Sequence, residues 1–277
     1  MWISVPPRKK PKIRTKTTKV FCKFIMSKKF RLIPSVLFKQ GSVVKSVKFL
    51  NHRIVGDLPS TMRVFSRRQA DELVIFDLDA SANRKIDWDM IEVCVENSNM
   101  PLTYGGGVTD KEIAIELTAR GFDKICFNTA VLEDPQGVYE VAKVIGSSST
   151  LATIDLKEVD QETFICSRSG KKPIRKFNLV DEIHFLESIG VGEVIINCIE
   201  SDGMMTGYNF ASIDLKDLNI KMPILISGGC SGAECIKQAY FNGFDGAIMS
   251  SIFLWQGDSI PSLKKELKNE IPIRELI

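Results

Sequence analysis

A regular alternation of short apolar runs and amphipathic segments constrains the fold of this chain more than any other feature. From residue 31 onwards, β-rich runs alternate with helical segments such as "DKEIAIELTARG", several of which end in glycine, a helix-stop signal. This pattern predicts parallel strands joined by right-handed crossovers. Eight units in this length favour an α/β protein with a closed (β/α)8 TIM barrel over an open sheet. The predicted strands are "RLIPSVLF", "ELVIFDL", "MPLTYG", "DKICFN", "TLATIDL", "EVIINC", "MPILIS" and "GAIMS".

The barrel sequence also repeats itself. "GGGVTDKEIAIELTARGFDKICFNTAV" (105–131) matches "SGGCSGAECIKQAYFNGFDGAIMSSIF" (227–253) at a constant offset of 122. Continuing the register upstream places Leu37, in "IPSVLFK", opposite Asp155, in "LATIDLK". The repeat therefore predicts a barrel of two halves related by a pseudo-twofold axis.

Charge is distributed unevenly along the chain. The net charge is +3, but residues 1–30 contain ten Lys or Arg residues and no acidic residue. The rest carries 27 basic and 34 acidic side chains, so it offers no general nucleic-acid footprint. We expect a basic, disordered extension at 1–27 and one barrel domain at 28–277. The extension is either a segment upstream of a start at Met26 or a tether to nucleic acid or membrane.

Composition disfavours membrane and metal functions. No apolar run approaches the ~18 residues that a membrane helix needs, and we expect a cytoplasmic protein with no membrane or nucleic-acid partner. Seven cysteines form no CxxC pair, and the chain has only two histidines; Cys230 and Cys235 are the closest pair. This usage predicts reduced thiols, no zinc site and no cofactor.

Each half places a glycine run after one strand and a small polar pair after the next. Glycine lets the backbone approach an anion, and N–H groups at a following helix start can hold a phosphate. One such run is usually only a tight turn, but the same arrangement twice in register favours phosphate binding. Because barrel sites collect at the C-terminal ends of the strands, a ligand with a phosphate at each end is expected. The paired positions are Gly106, Gly107, Asn128 and Thr129 in the first half and Gly228, Gly229, Ser250 and Ser251 in the second.

The body resembles the cyclase subunit of imidazole glycerol phosphate synthase along nearly all of residues 28 to 273. The segments that carry the resemblance include "GSVVKSVKFLNHR", "DELVIFDLDAS", "PLTYGGGV", "ATIDLKEV", "SGKK" and "GVGEVIINCIESDGMMTGY". The resemblance implies a lyase of histidine biosynthesis that works as a heterodimer with a glutaminase. In that family the glutaminase docks at the N-terminal face of the barrel, and ammonia crosses the barrel. At the C-terminal face the ammonia is added to a bisphosphorylated ribonucleotide, and an aminoimidazole carboxamide ribotide leaves.

The same resemblance implies roles for individual residues. Asp123 matches a position that pairs with the glutaminase, and Lys45 matches a lysine of the mobile loop that covers the substrate. Asp202 and Gly203 match a substrate-contacting loop, although Met204 stands where a threonine is usual. The paired glycines and polar residues match two phosphate clamps. The positions that match the charged gate of the ammonia tunnel are Arg31, Glu72, Lys124 and Glu193.

Leu37 is the main departure from the family pattern. The family catalyses with two carboxylates, which suits paired proton transfers. Asp155 matches one of them, whereas Leu37 stands in place of the other and can neither accept nor donate a proton. This favours an alternative seen in a surface-polysaccharide branch of the family, in which ammonia converts an acetamido group on an activated sugar to an acetamidino group. A second alternative is a non-catalytic barrel that binds a phosphorylated ligand or holds a glutaminase.

Overall fold

The computed structural model describes residues 28–215, 218, 220–255 and 259–274. The predicted extension, residues 1–27, lies outside the described residues. No helix in the described part of the chain is long and apolar enough to cross a bilayer. The strands there are β1 (Arg31–Lys39), β2 (Ser42–Val47), β3 (Leu50–Gly56), β4 (Leu73–Asp77), β5 (Leu102–Gly105), β6 (Lys124–Phe127), β7 (Thr150–Val159), β8 (Glu162–Ser167), β9 (Lys172–Lys176), β10 (Glu193–Cys198), β11 (Ile224–Ser227) and β12 (Gly246–Met249).

The helices alternate with the parallel strands, as the sequence predicts. Two short 3-10 turns follow at Ser147–Ser149 and Ile199–Ser201. The α-helices are α1 (Leu58–Arg67), α2 (Leu78–Asn83), α3 (Trp88–Glu96), α4 (Lys111–Arg120), α5 (Thr129–Glu133), α6 (Pro135–Ile145), α7 (Leu179–Ser188), α8 (Ala233–Phe241), α9 (Ile252–Trp255) and α10 (Ile260–Leu267).

Eight parallel strands close into a barrel. Following the hydrogen bonds, the order is β1, β4, β5, β6, β7, β10, β11 and β12, and β12 returns to β1. The predicted (β/α)8 barrel is therefore confirmed. Counted around this ring, β1 and β7 are the first and fifth strands, so they lie on opposite sides.

Helix starts are specified locally by side-chain caps. The side chain of Asp110 accepts a hydrogen bond from the Ile113 N–H at the start of α4, and Asp57 does the same for Ser60 at the start of α1. Each such cap stabilises a helix by ~1 kcal/mol. The capped helices then bury their apolar faces against the outside of the barrel, as Ala114 and Leu117 of α4 do.

The two halves share one elaboration. β1 continues into the antiparallel hairpin β2–β3, and β7 continues into the antiparallel hairpin β8–β9. These hairpins follow the first and fifth barrel strands, so the pseudo-twofold relation extends to the loops at the C-terminal face. Both hairpins stand at the end of the barrel where sites of this fold are built.

Candidate active site

A ring of four charged side chains lies inside the N-terminal end of the barrel. Lys124 donates to Glu72 at 2.9 Å and to Glu193 at 2.7 Å. Arg31 donates to Glu72 at 3.3 Å and also to Glu193. The two cations and two anions thus alternate around the ring, and they are the four residues that the family resemblance matched to a gate.

Glu193 of the ring is held in its charged form. Burial alone would raise the pKa of Glu193, but the hydrogen bond and charge of Arg31, assisted by Lys124, outweigh burial and lower this pKa. The carboxylates are about 5% exposed, and Glu72 also accepts a hydrogen bond from Thr103 at 2.7 Å. Removing one partner would leave a buried charge uncompensated, which makes the ring mutually dependent.

An apolar layer fills the barrel above the ring. Side chains alternate between the two faces of a strand, so a residue two positions after each ring member faces the interior. Seven strands contribute one buried residue each to this layer, namely Ile33, Val74, Cys126, Leu151, Ile195, Leu225 and Ile248. The barrel interior directly above the ring is therefore lined by uncharged side chains.

Asp155 lies above this layer at the C-terminal end of β7. It is 5% exposed, and its carboxylate accepts a hydrogen bond of 3.0 Å from the side-chain amide of Asn197 on β10. Burial raises the pKa of Asp155 to about 7; the Asn197 hydrogen bond opposes this rise, and the charge of Asp202 adds to it. A carboxyl group poised near neutrality can take up and release a proton at physiological pH.

The structure places Leu37 at the interior face of β1, the strand opposite β7. It is half-buried, and its neighbour in register on β4 is Phe76. The side of the mouth that faces Asp155 is thus apolar at this level, and Leu37 supplies no second carboxylate.

Lys45, which is buried, and Asp202, which is half-buried, are two further ionisable side chains at the mouth. Lys45 lies on β2 with its Nζ 3.4 Å from the carbonyl oxygen of Ser35, and burial lowers its pKa to about 8 although the charge of Asp202 opposes this. Asp202 has a raised pKa, mainly because of its partial burial. Since Asp202 acts on both Lys45 and Asp155, the three groups share one electrostatic environment.

The predicted residues of the second half come together in one pocket. Gly229 has φ +108°, and a Cβ there would lie 2.3 Å from the carbonyl oxygen of Gly207, so only glycine fits. Ser250 donates to the carbonyl oxygen of Ser35 at 2.7 Å. The predicted residues that line this pocket are Asp202, Gly203, Gly228, Gly229, Ser250 and Ser251.

The predicted residues of the first half lie across the mouth, at the ends of β5 and β6. A Cβ at Gly107 would lie 2.4 Å from the carbonyl oxygen of Ala80, and its φ is +67°. Gly106 precedes it, and its Cβ would meet the backbone of Asp77. The Asn128 amide donates to the Thr153 carbonyl oxygen at 2.8 Å, and the Thr129 hydroxyl accepts from the N–H of Arg168 at 3.2 Å. The two halves thus repeat the close backbone approach as well as the sequence.

Comparison with known proteins places this arrangement in a family. Residues 31–258 match the family described as histidine biosynthesis protein. This chain belongs to that family. It is 34% identical over 252 residues to "Imidazole glycerol phosphate synthase subunit HisF" of Francisella philomiragia, with 88% of this chain and 97% of the relative covered. Relatives of the same name from Thermotoga sp. strain RQ2 and Pyrococcus furiosus are 35% and 33% identical, and the matches cover 86% and 88% of this chain and 94% and 98% of the relatives.

In this member of the histidine biosynthesis family, the two hairpins meet above the mouth. A Cβ at Gly170, in the β8–β9 turn, would lie 3.6 Å from the ring of Phe49, in the β2–β3 turn. Lys48 forms an ion pair with Glu200 at 3.1 Å, which ties the first hairpin to the segment after β10. Arg168 donates to Glu133 at 3.0 and 2.9 Å, which ties the second hairpin to α5. The hairpins therefore form a cover over the region between the two clamps.

Two residues of the site were not predicted from the sequence. Asn197 is 7% exposed and contacts Asp155, while its own Oδ1 accepts no hydrogen bond from any residue within the described ranges. Its position, four residues after Glu193 on one strand, was a usable signal, because alternation puts both side chains inside the barrel. No sequence pattern marked Glu133, because only the folded chain brings it next to Arg168.

Proposed function

We propose that this protein is the synthase subunit of a glutamine-dependent imidazole glycerol phosphate synthase. It would take ammonia from a glutaminase and use it to aminate and cyclise a bisphosphorylated ribonucleotide in histidine biosynthesis. The observation that carries the proposal is the pairing of a closed charged ring at one end of the barrel with a buried Asp155 at the other. The relatives named above support it.

The barrel interior suits the passage of ammonia in its neutral form. Moving an ammonium ion through an apolar lining would cost several kcal/mol of lost hydration, whereas neutral ammonia carries no such charge. The ring of Arg31, Glu72, Lys124 and Glu193 would act as the gate, since a shift of one side chain would open a path. Asp123, exposed at this face with its carboxylate accepting from the Leu102 N–H at 2.9 Å, would contact the glutaminase.

Two groups at the mouth can share the proton transfers. Asp155, with its pKa raised to about 7, would act as the general base, and Lys45, with its pKa lowered to about 8, would act as the general acid. Pairs of groups whose environments bring their pKa values close to the working pH serve such transfers well. In this proposal Lys45 takes over the proton donation that Leu37 cannot provide.

The two clamps would hold the two phosphates of the substrate. Gly107 with Asn128 and Thr129 would hold one phosphate, and Gly229 with Ser250 and Ser251 would hold the other. Backbone N–H groups at closely approached glycines suit a phosphate because they bring donors to it without a competing side chain. The hairpin cover would exclude water from the reacting atoms between them.

One observation favours a different reaction for the same apparatus. Leu37 removes one carboxylate, which is compatible with amidination of an activated sugar by the same ammonia. The names of the relatives give this alternative no support, and it rests on Leu37 alone. A non-catalytic barrel finds no support either, and it leaves the buried Asp155 and the closed ring without a use.

Turnover with ammonium salt tests the proposal without the partner. The unmutated protein is expected to convert the bisphosphorylated ribonucleotide, and Asp155→Asn is expected to lower kcat by about a hundredfold to ten-thousandfold. Leu37→Asp serves as the comparison, because a second carboxylate should raise turnover if the leucine limits it. Absence of turnover in the parent, with recovery in Leu37→Asp, would reject the proposed reaction and favour the altered one.

A further inference from the structure

Cys230 and Cys235 form a thiol pair inside the loop of the second clamp. Their sulfur atoms lie 3.6 Å apart, and the residues are 5% and 4% exposed. Cys230 directly follows Gly229 and lines the pocket with it, while Cys235 lies in the first turn of α8. The pair thus joins the clamp backbone to the helix behind it.

The first half of the barrel shows what this loop needs for packing alone. At the offset of 122, Val108 and Ile113 stand where Cys230 and Cys235 stand. Val108 is buried and Ile113 packs against the core, so apolar side chains satisfy the equivalent loop. The thiols therefore add chemistry that packing does not require.

Local contacts hold the Cys235 sulfur at the start of α8. At the start of α4 the helix is capped by the carboxylate of Asp110, but the equivalent residue at α8 is Gly232, which has no side chain to cap with. The Ser231 N–H instead donates to the Cys235 sulfur at 3.1 Å. The hydrogen bond with Cys230, opposed by burial, lowers the pKa of Cys235, and its thiol can also donate to the carbonyl oxygen of Gly232 at 3.2 Å. Cysteine reacts as its thiolate, and a helix N-terminus favours that form.

We propose that Cys230 and Cys235 are an oxidation site, at which a hydroperoxide closes a reversible disulfide that weakens ligand binding at the second clamp. The effect on binding rests on the proposed function of that clamp, whereas formation of the disulfide does not.

The chemistry balances with hydrogen peroxide as the oxidant. The Cys235 thiol gives up its proton, and the thiolate attacks one peroxide oxygen. The O–O bond breaks, the sulfur becomes a sulfenic acid, and the departing hydroxide takes up the released proton to form water. The Cys230 thiol then attacks that sulfur; the S–S bond forms, the S–O bond breaks, and the departing hydroxide takes the Cys230 proton. Two electrons pass from the thiols to the peroxide, and two waters result. A dithiol reductant reverses the step by exchange.

Closing the bond requires movement of the clamp. A disulfide has an S–S length of ~2.05 Å, so the two sulfurs must approach by about 1.5 Å. α8 is held by the buried residues Ile236 and Ala239, so we expect the loop bearing Cys230 to make most of this movement. Gly229 moves with it, and the 2.8 Å hydrogen bond from the Gly207 N–H to the Gly229 carbonyl oxygen is displaced.

The test separates the bond from its consequence. The reduced full-length protein is treated with an equimolar amount of hydrogen peroxide, and peptide mapping by mass spectrometry identifies the linked cysteines. Calorimetry then measures binding of the bisphosphorylated ribonucleotide, with inorganic phosphate as a second probe. We expect a Cys230–Cys235 link and affinity about tenfold weaker, equivalent to losing one hydrogen bond to a charged group, restored by dithiothreitol.

Matched variants make each outcome decisive. Cys235→Ser keeps an acceptor for the Ser231 N–H and should bind equally before and after peroxide. Cys94→Ala, a buried cysteine of α3, should still form the link and still lose affinity. A map without the Cys230–Cys235 link overturns the proposal, and a link that leaves affinity unchanged overturns its regulatory part. If the reduced protein binds neither probe, the clamp function fails while the link is judged by the map alone.

Discussion

At the scale of single residues, burial sets the chemistry of the mouth. Taking a charge out of water raises the pKa of an acid and lowers that of a lysine, and both effects occur here. Burial therefore brings the pKa values of Asp155 and Lys45 closer together, to about 7 and about 8. A site that has leucine at position 37 can thus still offer a base and an acid at the same pH.

The pH dependence of kcat/KM follows from the shifts in these two pKa values. In the proposed mechanism Asp155 acts as an ionised base and Lys45 as a protonated acid. The rate should therefore fall as pH drops below about 7 and fall again as pH rises above about 8. A bell-shaped profile with ammonium salt is expected, after correction for the fraction of neutral ammonia. Lys45→Met should remove the alkaline limb and keep the acidic one; an unchanged alkaline limb would contradict the role of Lys45.

Asn197 should tune the acidic limb. Its hydrogen bond opposes the rise in the pKa of Asp155, so Asn197→Leu should raise this pKa and move the acidic limb to higher pH. The pH–rate profile measures the shift, and a melting curve at the same pH values controls for loss of fold. A lower rate at every pH with the limb unmoved would show that Asn197 is merely a packing residue.

At the scale of elements, the sequence predicted the barrel strands and missed the hairpins. All eight predicted runs are barrel strands, because buried parallel strands carry nearly continuous apolar residues. The residues of β3 and β9 are exposed or half-buried, so these two strands carry no apolar pattern that would mark them in the sequence. The clamps were predictable because the repeat marks them twice. The ring and Asp155 were assigned by resemblance, and Asn197 was missed although it shares a strand with Glu193.

The clamp glycines should be intolerant of any side chain. In Gly229→Ala the new Cβ would lie 2.3 Å from the Gly207 carbonyl oxygen, so the loop must shift and ligand binding should weaken. Gly41→Ala is the matched control, since Gly41 also has positive φ but has no atom near its Cβ. The control should cost only the backbone strain of about 1–2 kcal/mol. Calorimetry with the bisphosphorylated ribonucleotide and thermal melting separate the two effects; equal affinity of both variants would argue against the clamp.

At the scale of the whole molecule, charge is segregated along the barrel axis. The N-terminal end carries the ring and the exposed Asp123, the middle is apolar, and the C-terminal end carries Asp155, Lys45 and the two clamps. The two ends are thus chemically distinct, and an apolar layer lies between them. In the proposed function, a small neutral species crosses this layer. A partner at one end can then supply what is consumed at the other only if the ring permits passage.

Lys124→Ala tests that coupling across the full length of the barrel. The change removes the hydrogen bonds from Lys124 to the two glutamates, at 2.9 and 2.7 Å, and leaves Arg31 as their one cation within the ring. With a glutaminase bound, glutamine hydrolysis should continue while less product forms per glutamine, because ammonia escapes or is blocked at the disturbed ring. Activity with ammonium salt should be spared, since this ammonia need not pass the ring.

Lys264→Ala is the matched control: its Nζ forms a buried ion pair with Asp71 at 2.6 Å, outside the ring. That variant should lose stability yet keep the ratio of product to glutamine consumed. Equal loss with both nitrogen sources in Lys124→Ala would mean that the ring only stabilises the barrel end.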